Sequence, residues 1–219
     1  MLENYSWYID EQVNAAAYGE PILTEDVTDN LIRRCQLSPQ QAKSIVNTNL
    51  YRKNKNKEIE RFDEGAYFKP QITVFGITPL NPSQVISKMY MKKENEYFGY
   101  ETGPSLMNKL GFTTQLPKYR YIATNKYTQR GNKVIEKYGV VLRRPKVHVN
   151  KENKPYLQLL DIIVNKDDVF IEVANKNIIY ANFIEKHQLD YGVLIAYAKK
   201  YYGKGVLLQI ADIAEATKL

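Results

Sequence analysis

The chain has 219 residues, which suits two small domains, and a mean hydropathy of −0.47. Its formal net charge of +7 and pI near 9.2 favour a polyanionic partner or serve only solubility. A single cysteine excludes an intramolecular disulfide and a cysteine-rich zinc site. No membrane-length apolar run and no secretion signal is recognisable, so we expect a cytoplasmic protein with no membrane partner.

The first 37 residues predict two helices. Apolar side chains recur at helical spacing from Tyr5 to Ala16. A second helix is predicted to begin with Thr24 as its capping residue, and two acidic residues follow where the helix dipole favours them. The junction at Gln36 and Leu37 is short enough for a helix-turn-helix.

The third predicted helix is the most informative segment. Ser38, Pro39 and Gln41 occupy the positions of a capping box with proline in the first turn. The face predicted to pack inward carries Ala42, Ile45, Val46, Asn49 and Leu50. The opposite, polar face carries Gln40, Ser44, Asn47, Thr48 and Tyr51. Basic residues flank and follow that face: Lys43, Arg52, Lys53, Lys55 and Lys57.

This combination of side chains fits either a helix that reads DNA or an ordinary surface helix. Amide and hydroxyl groups can bind base edges in the major groove of DNA, while neighbouring cations bind phosphates. An ordinary surface helix would also be polar outside. We predict the DNA-reading function because residues 31–57 contain seven basic residues and no acidic one.

A hairpin is predicted after this helix. Residues 59–62 and 66–69 flank Asp63, Glu64 and Gly65, with glycine in the turn. Three helices followed by a hairpin predict a winged helix-turn-helix domain over residues 1–75. Because Asp63 and Glu64 make the hairpin tip acidic, phosphate contact is assigned to the basic run after the third helix.

Residues 76–219 predict a second domain of mixed α/β structure with a helical tail, giving an α+β protein. A helix is expected from Asn81 through Met91, Gly99 and Gly103 are expected in turns, and Gly111 is expected to end a short helix. Strands are expected within 118–124 and 139–144, and the apolar period becomes helical beyond residue 154.

A second basic tract lies in this domain. Residues 118–154 contain eleven basic residues and two acidic ones, and a solvated surface would explain such a tract about as well as nucleic-acid contact. We predict that DNA contacts here come from Arg120, Arg130, Arg143, Arg144 and Lys146.

Two other classes of function remain open. A metal-dependent nuclease would use acids and a lysine that cluster in sequence: Asp161, Asp167, Asp168, Glu172 and Lys176. Their spacing fits that chemistry poorly, so we expect no enzyme activity, catalytic residue, metal or cofactor. An RNA-binding module is permitted by the eighteen tyrosines and the second basic tract.

The second domain also contains the sequence 99–103 (Gly-Tyr-Glu-Thr-Gly), the segment 110–117 (Leu-Gly-Phe-Thr-Thr-Gln-Leu-Pro) and Thr124-Asn125. With the predicted winged helix, the whole chain resembles the AbiEi antitoxins of type IV toxin–antitoxin systems, which are linked to abortive phage infection. The resemblance implies that the N-terminal domain binds inverted repeats in its own operon promoter and represses it. It also implies that the C-terminal domain neutralises a nucleotidyltransferase-type toxin without a stable complex.

The oligomeric state is predicted from the helices. Neither a long heptad pattern nor an exposed apolar helix is recognisable in the sequence. We therefore expect a monomer in solution that binds repeated DNA sites side by side.

Overall fold

The computed structural model describes residues 5–74, 76–78, 80–165 and 170–216, and its class is mixed α+β. The predicted class is therefore confirmed. The chain divides into two compact units, Met1–Met89 (unit 1) and Tyr90–Leu219 (unit 2). The division of function at residue 75 stays a prediction.

Unit 1 is built from short strands among helices. In chain order its elements are α1 (Ser6–Ala15), β1 (Pro21–Leu23), α2 (Thr24–Cys35), α3 (Pro39–Lys55), β2 (Glu60–Asp63), β3 (Ala66–Phe68), β4 (Gln71–Thr73), β5 (Gly76–Thr78) and α4 (Pro82–Tyr90). An antiparallel sheet has the strand order β1-β3-β2, and β4 pairs with β5 in a separate ribbon.

The apolar faces of the first three helices form one core. It contains buried side chains from each helix: Tyr8, Ile9, Val13, Val27, Leu31, Ala42, Val46 and Leu50. The helical periodicity of the third predicted helix indicated its inward positions Ala42, Val46 and Leu50. The predicted cap at Thr24 is wrong: Leu23 precedes the first helical residue and the Thr24 side chain makes no capping hydrogen bond.

Strand β3 is buried on both faces, and its side chains, which alternate between the faces, reach two different clusters. Tyr67 lies opposite Ile22 and joins the helical core. Ala66 and Phe68 join a second cluster, which also contains Val85 of α4. The helix predicted after Asn81 is thus present, and it belongs to the core of unit 1.

Unit 2 has a mixed sheet and a set of C-terminal helices. Its elements are β6 (Lys92–Lys93), β7 (Glu96–Tyr97), β8 (Gly99–Thr102), α5 (Gly103–Lys109), β9 (Arg120–Thr124), β10 (Asn132–Ile135), β11 (Val140–Arg143), α6 (Lys154–Val164), α7 (Lys176–Lys186), α8 (Tyr191–Tyr197) and α9 (Lys204–Ala216). Ala198–Tyr202 continues α8 as a π-helical turn.

The sheet has the strand order β10-β11-β9-β8, in which β9 and β11 are parallel and the other pairs antiparallel. Helix α6 is buried on nearly every side. Leu157 packs with Tyr100 and Ala123 of the sheet, whereas Leu160 and Ile163 pack with the other helices. In unit 2 the mixed sheet is thus followed by helices α6 to α9.

The two glycines predicted in turns differ in their surroundings. Gly103 is the first residue of α5, directly after β8, and has a positive φ of 61°, which favours glycine. Gly99 lies in strand β8, so its predicted turn is wrong. A Cβ atom there would lie 2.1 Å from the carbonyl oxygen of Tyr90. Gly99 is therefore required for a close backbone approach inside unit 2.

Candidate nucleic-acid interface

The start of α3 is fixed by local hydrogen bonds. The backbone amide of Gln41 donates to Ser38 Oγ, the backbone amide of Ser38 donates to Gln41 Oε1, and Pro39 is the first helical residue. This confirms the predicted capping box. The helix continues to Lys55, so Arg52, Lys53 and Lys55 lie in its last turns rather than in a run that follows it.

The outer face of α3 is exposed, as predicted. It presents the side chains of Gln40, Lys43, Ser44, Asn47, Thr48 and Tyr51. Thr48 Oγ1 donates to the Ser44 carbonyl oxygen at 2.9 Å, so this hydroxyl is partly engaged by its own helix. Within the described part of the chain, the side chains of Gln40 and Asn47 make no hydrogen bond and are available to a ligand.

The basic residues of α3 differ in how free they are. Arg52, Lys55 and Lys57 are exposed, and none of them has an ion-pair partner in the described residues. Lys53 Nζ instead lies 2.6 Å from Asp10 Oδ1 and 2.7 Å from Glu58 Oε2, so its charge is paired.

These two acidic partners determine the ionisation of Lys53. Burial lowers the pKa of Lys53, but its hydrogen bonds to Asp10 and Glu58 outweigh that effect, so the pKa is raised overall. Since its charge is already paired twice, Lys53 is a poorer phosphate contact than Lys55.

Arg120 also has a structural partner. Its Nε lies 3.0 Å from Glu101 Oε2, and Lys109 Nζ lies 2.7 Å from the same oxygen. The Glu101 side chain is only 7% exposed, so these two cations balance a buried charge. Arg120 is therefore occupied inside unit 2 and does not join the other predicted cations.

The structure brings the remaining four predicted cations of unit 2 together. Arg130, Arg143, Arg144 and Lys146 line one cleft of about 550 Å³. Arg130 precedes β10, Arg143 ends β11, and the other two follow it. We call this the basic cleft.

The other walls of the basic cleft come from distant parts of unit 2. They include Gln129, Asn132, Asp161, Asn165 and Tyr201. The sequence did not predict Gln129, Asn132, Asn165 or Tyr201 as site residues. They come from three separate segments, and no periodic pattern connects them.

Asp161 anchors the floor of the basic cleft. Its Oδ1 accepts a hydrogen bond from the Tyr202 hydroxyl at 2.8 Å, and its Oδ2 accepts one from the Tyr100 hydroxyl at 2.9 Å. Burial raises the pKa of Asp161, although the two tyrosine hydrogen bonds and the charges of Arg143 and Lys146 oppose that shift.

Two aromatic rings hold cations at the cleft. Lys146 Nζ lies 4.8 Å from the centroid of the Tyr202 ring, and Arg143 Cζ lies 5.3 Å from that of Tyr121. Arg143 Nε is buried and has no hydrogen-bond partner among the described residues. Arg143 and Lys146 are thus held against aromatic rings, and neither has an ion-pair partner among the residues that the structure describes.

Of the residues in the nuclease alternative, those that the structure describes do not form a metal-binding group. Asp161 is occupied by tyrosine hydroxyls, and Glu172 accepts a hydrogen bond from the backbone amide of Thr114. Asp167 and Asp168 lie outside the described residues. No metal-binding group of three histidine, cysteine or acidic side chains occurs among the residues that the structure describes.

Compared with models of known protein families and with curated proteins, the sequence matches none. Within the described ranges, no helix is both long enough and apolar enough to cross a lipid bilayer.

Proposed function

We propose that this chain is an antitoxin that binds DNA sequence-specifically and represses its own operon. The composition of the outer face of α3 is the main support for this function. There, exposed amides and hydroxyls lie beside cations that no acidic side chain in the described residues neutralises. A helix with these groups can contact base edges and phosphates together.

The elements around α3 support a winged helix-turn-helix in unit 1. Three residues, 36–38, separate α2 from α3, and Gln36 has a left-handed φ of 53° that turns the chain there. The β2–β3 hairpin follows α3. In such motifs the second helix of the pair enters the major groove, which is the position proposed for α3. On this proposal Asp63 and Glu64 at the acidic hairpin tip make no phosphate contact.

The biological function is inferred from the resemblance to AbiEi antitoxins. On this proposal the DNA partner is an operator with inverted repeats in the chain's own promoter, occupied by monomers side by side. The second partner is a nucleotidyltransferase-type toxin, which is neutralised without a stable complex. The protein would act without a cofactor, a metal or a catalytic residue.

The first experiment measures binding of the full-length protein to its own promoter and to random duplex DNA. Asn47→Ala should weaken operator binding by about 1–3 kcal/mol and change binding to random DNA little, because it removes a base contact. Asn14→Ala makes the same chemical change at an exposed position of α1 and is the matched control. Equal operator affinity for wild type and Asn47→Ala would show that α3 is not the reader.

The second experiment tests neutralisation in cells. The gene adjacent to this one is expected to encode a nucleotidyltransferase, and its expression should arrest growth. The full-length chain should restore growth, and Asn47→Ala should restore it equally while losing repression of a promoter reporter. Failure of the wild-type chain to protect cells would refute the antitoxin proposal and leave DNA binding to be judged separately.

A further inference from the structure

The basic cleft of unit 2 concentrates charge in a concave site. Four cationic side chains line it, and Asp161 is the only acidic residue in the described lining. None of the four has an ion-pair partner in the described part of the chain. Such a cleft attracts an anion more strongly than isolated surface lysines do, because low-dielectric walls focus the field.

Asp161 does not offset this attraction fully. Both of its carboxylate oxygens already accept hydroxyl hydrogen bonds from Tyr100 and Tyr202. The same Tyr202 ring lies under the ammonium group of Lys146. Asp161 therefore holds the Tyr202 ring that positions Lys146, while the Lys146 ammonium group stays available to a ligand.

The neutral lining indicates the rest of the ligand. Tyr201 offers an aromatic ring, and Gln129 and Asn132 offer amides beside the arginines. Aromatic rings stack on nucleobases, side-chain amides hydrogen-bond their edges, and arginine binds phosphate through two parallel hydrogen bonds. A volume of about 550 Å³ is within the range of small-molecule sites.

We propose that the basic cleft binds a phosphorylated nucleotide, with phosphate on Arg143, Arg144 and Lys146 and the base against Tyr201. The nucleotide is either free or the terminal residue of a single strand, since both present the same chemistry. Nucleotide binding at the basic cleft does not require DNA reading by α3.

The test is isothermal titration calorimetry of the full-length protein with ATP, GTP, CTP and UTP, each titrated separately. At least one nucleotide should bind saturably at one site. Arg144→Gln and Lys146→Gln should each weaken it about tenfold or more, as expected for loss of a charged hydrogen bond. Tyr201→Ala should weaken the nucleotide but not inorganic pyrophosphate.

The matched control is Lys186→Gln, which removes one exposed positive charge from α7, outside the cleft lining. It should bind like wild type, and thermal melts should show that all variants are folded. A 5′-phosphorylated single-stranded oligonucleotide that binds more tightly than the free nucleotide would identify a strand end as the ligand. Absence of saturable binding by all of these probes, equal weakening by Lys186→Gln, or pyrophosphate binding as tightly as any nucleotide would overturn the proposal.

Discussion

Removal of the Asp161 carboxylate should destabilise unit 2 strongly. In Asp161→Ala the hydroxyls of Tyr100 and Tyr202 lose a charged acceptor, and Tyr100 is fully buried. Each lost bond to a charged group costs about 1.5–3 kcal/mol, and relief of carboxylate desolvation offsets part of the sum. We expect a net loss of roughly 3–5 kcal/mol in the free energy of unfolding.

Urea denaturation followed by far-UV circular dichroism measures this loss. The single tryptophan, Trp7, lies in unit 1, and its fluorescence reports that unit separately. Tyr202→Phe removes only one of the bonds and should cost about 1.5–3 kcal/mol. Unfolding of Asp161→Ala at the wild-type urea concentration, or a smaller loss of stability than in Tyr202→Phe, would contradict this expectation.

The same carboxyl group should make stability depend on pH. Burial raises the pKa of folded Asp161 above its unfolded value, so at pH values between the two the folded state holds a proton that the unfolded state has released. The contribution is therefore fully present below the unfolded pKa, and it is lost as pH rises through the folded pKa. Asp161→Asn should remove this decline, which urea titrations across the acidic range can detect.

Two further substitutions test local structure. Gly99→Ala should lower the free energy of unfolding by about 1–3 kcal/mol or more, because the added Cβ would overlap the Tyr90 carbonyl oxygen. Gly205→Ala is the control at an open helical position of α9 and should be neutral or stabilising. Equal melting temperatures for the two variants would contradict this prediction. Ser38→Ala should cost about 0.5–2 kcal/mol by removing the α3 cap, measured by urea denaturation; no loss would show that the capping box contributes nothing to stability.

The sequence predicted α3 well because its signals are local. The capping residues lie within four positions of one another, and the apolar period repeats over three turns. The strands β1 and β8 were not predicted. Strand β1 has only three residues, and β8 contains a glycine and a glutamate. Glu101 is tolerated in β8 because Lys109 and Arg120 reach it, which is a tertiary contact.

Charge density in the sequence also could not distinguish free cations from paired ones. Lys53 and Lys55 look alike in the basic run, yet only Lys53 lies between two carboxylates. Arg120 and Arg144 belong to one basic tract, yet only Arg120 balances the buried Glu101. In both comparisons the acidic partner lies outside the element that carries the cation. The sequence composition therefore predicted how much positive charge is present, but not which cations are free to bind a ligand.

This difference predicts how operator binding should respond to salt. If the free cations of α3 make the phosphate contacts, Lys43, Arg52, Lys55 and Lys57 should give a slope of log K against log salt near −3.6. Lys55→Gln should reduce its magnitude by about one unit, whereas Lys53→Gln should leave it nearly unchanged because that ammonium is already paired. Fluorescence anisotropy of labelled operator over a series of KCl concentrations measures both. Equal reductions in the two variants would contradict the pairing argument, and a reduction in Arg144→Gln would place the basic cleft against the duplex as well.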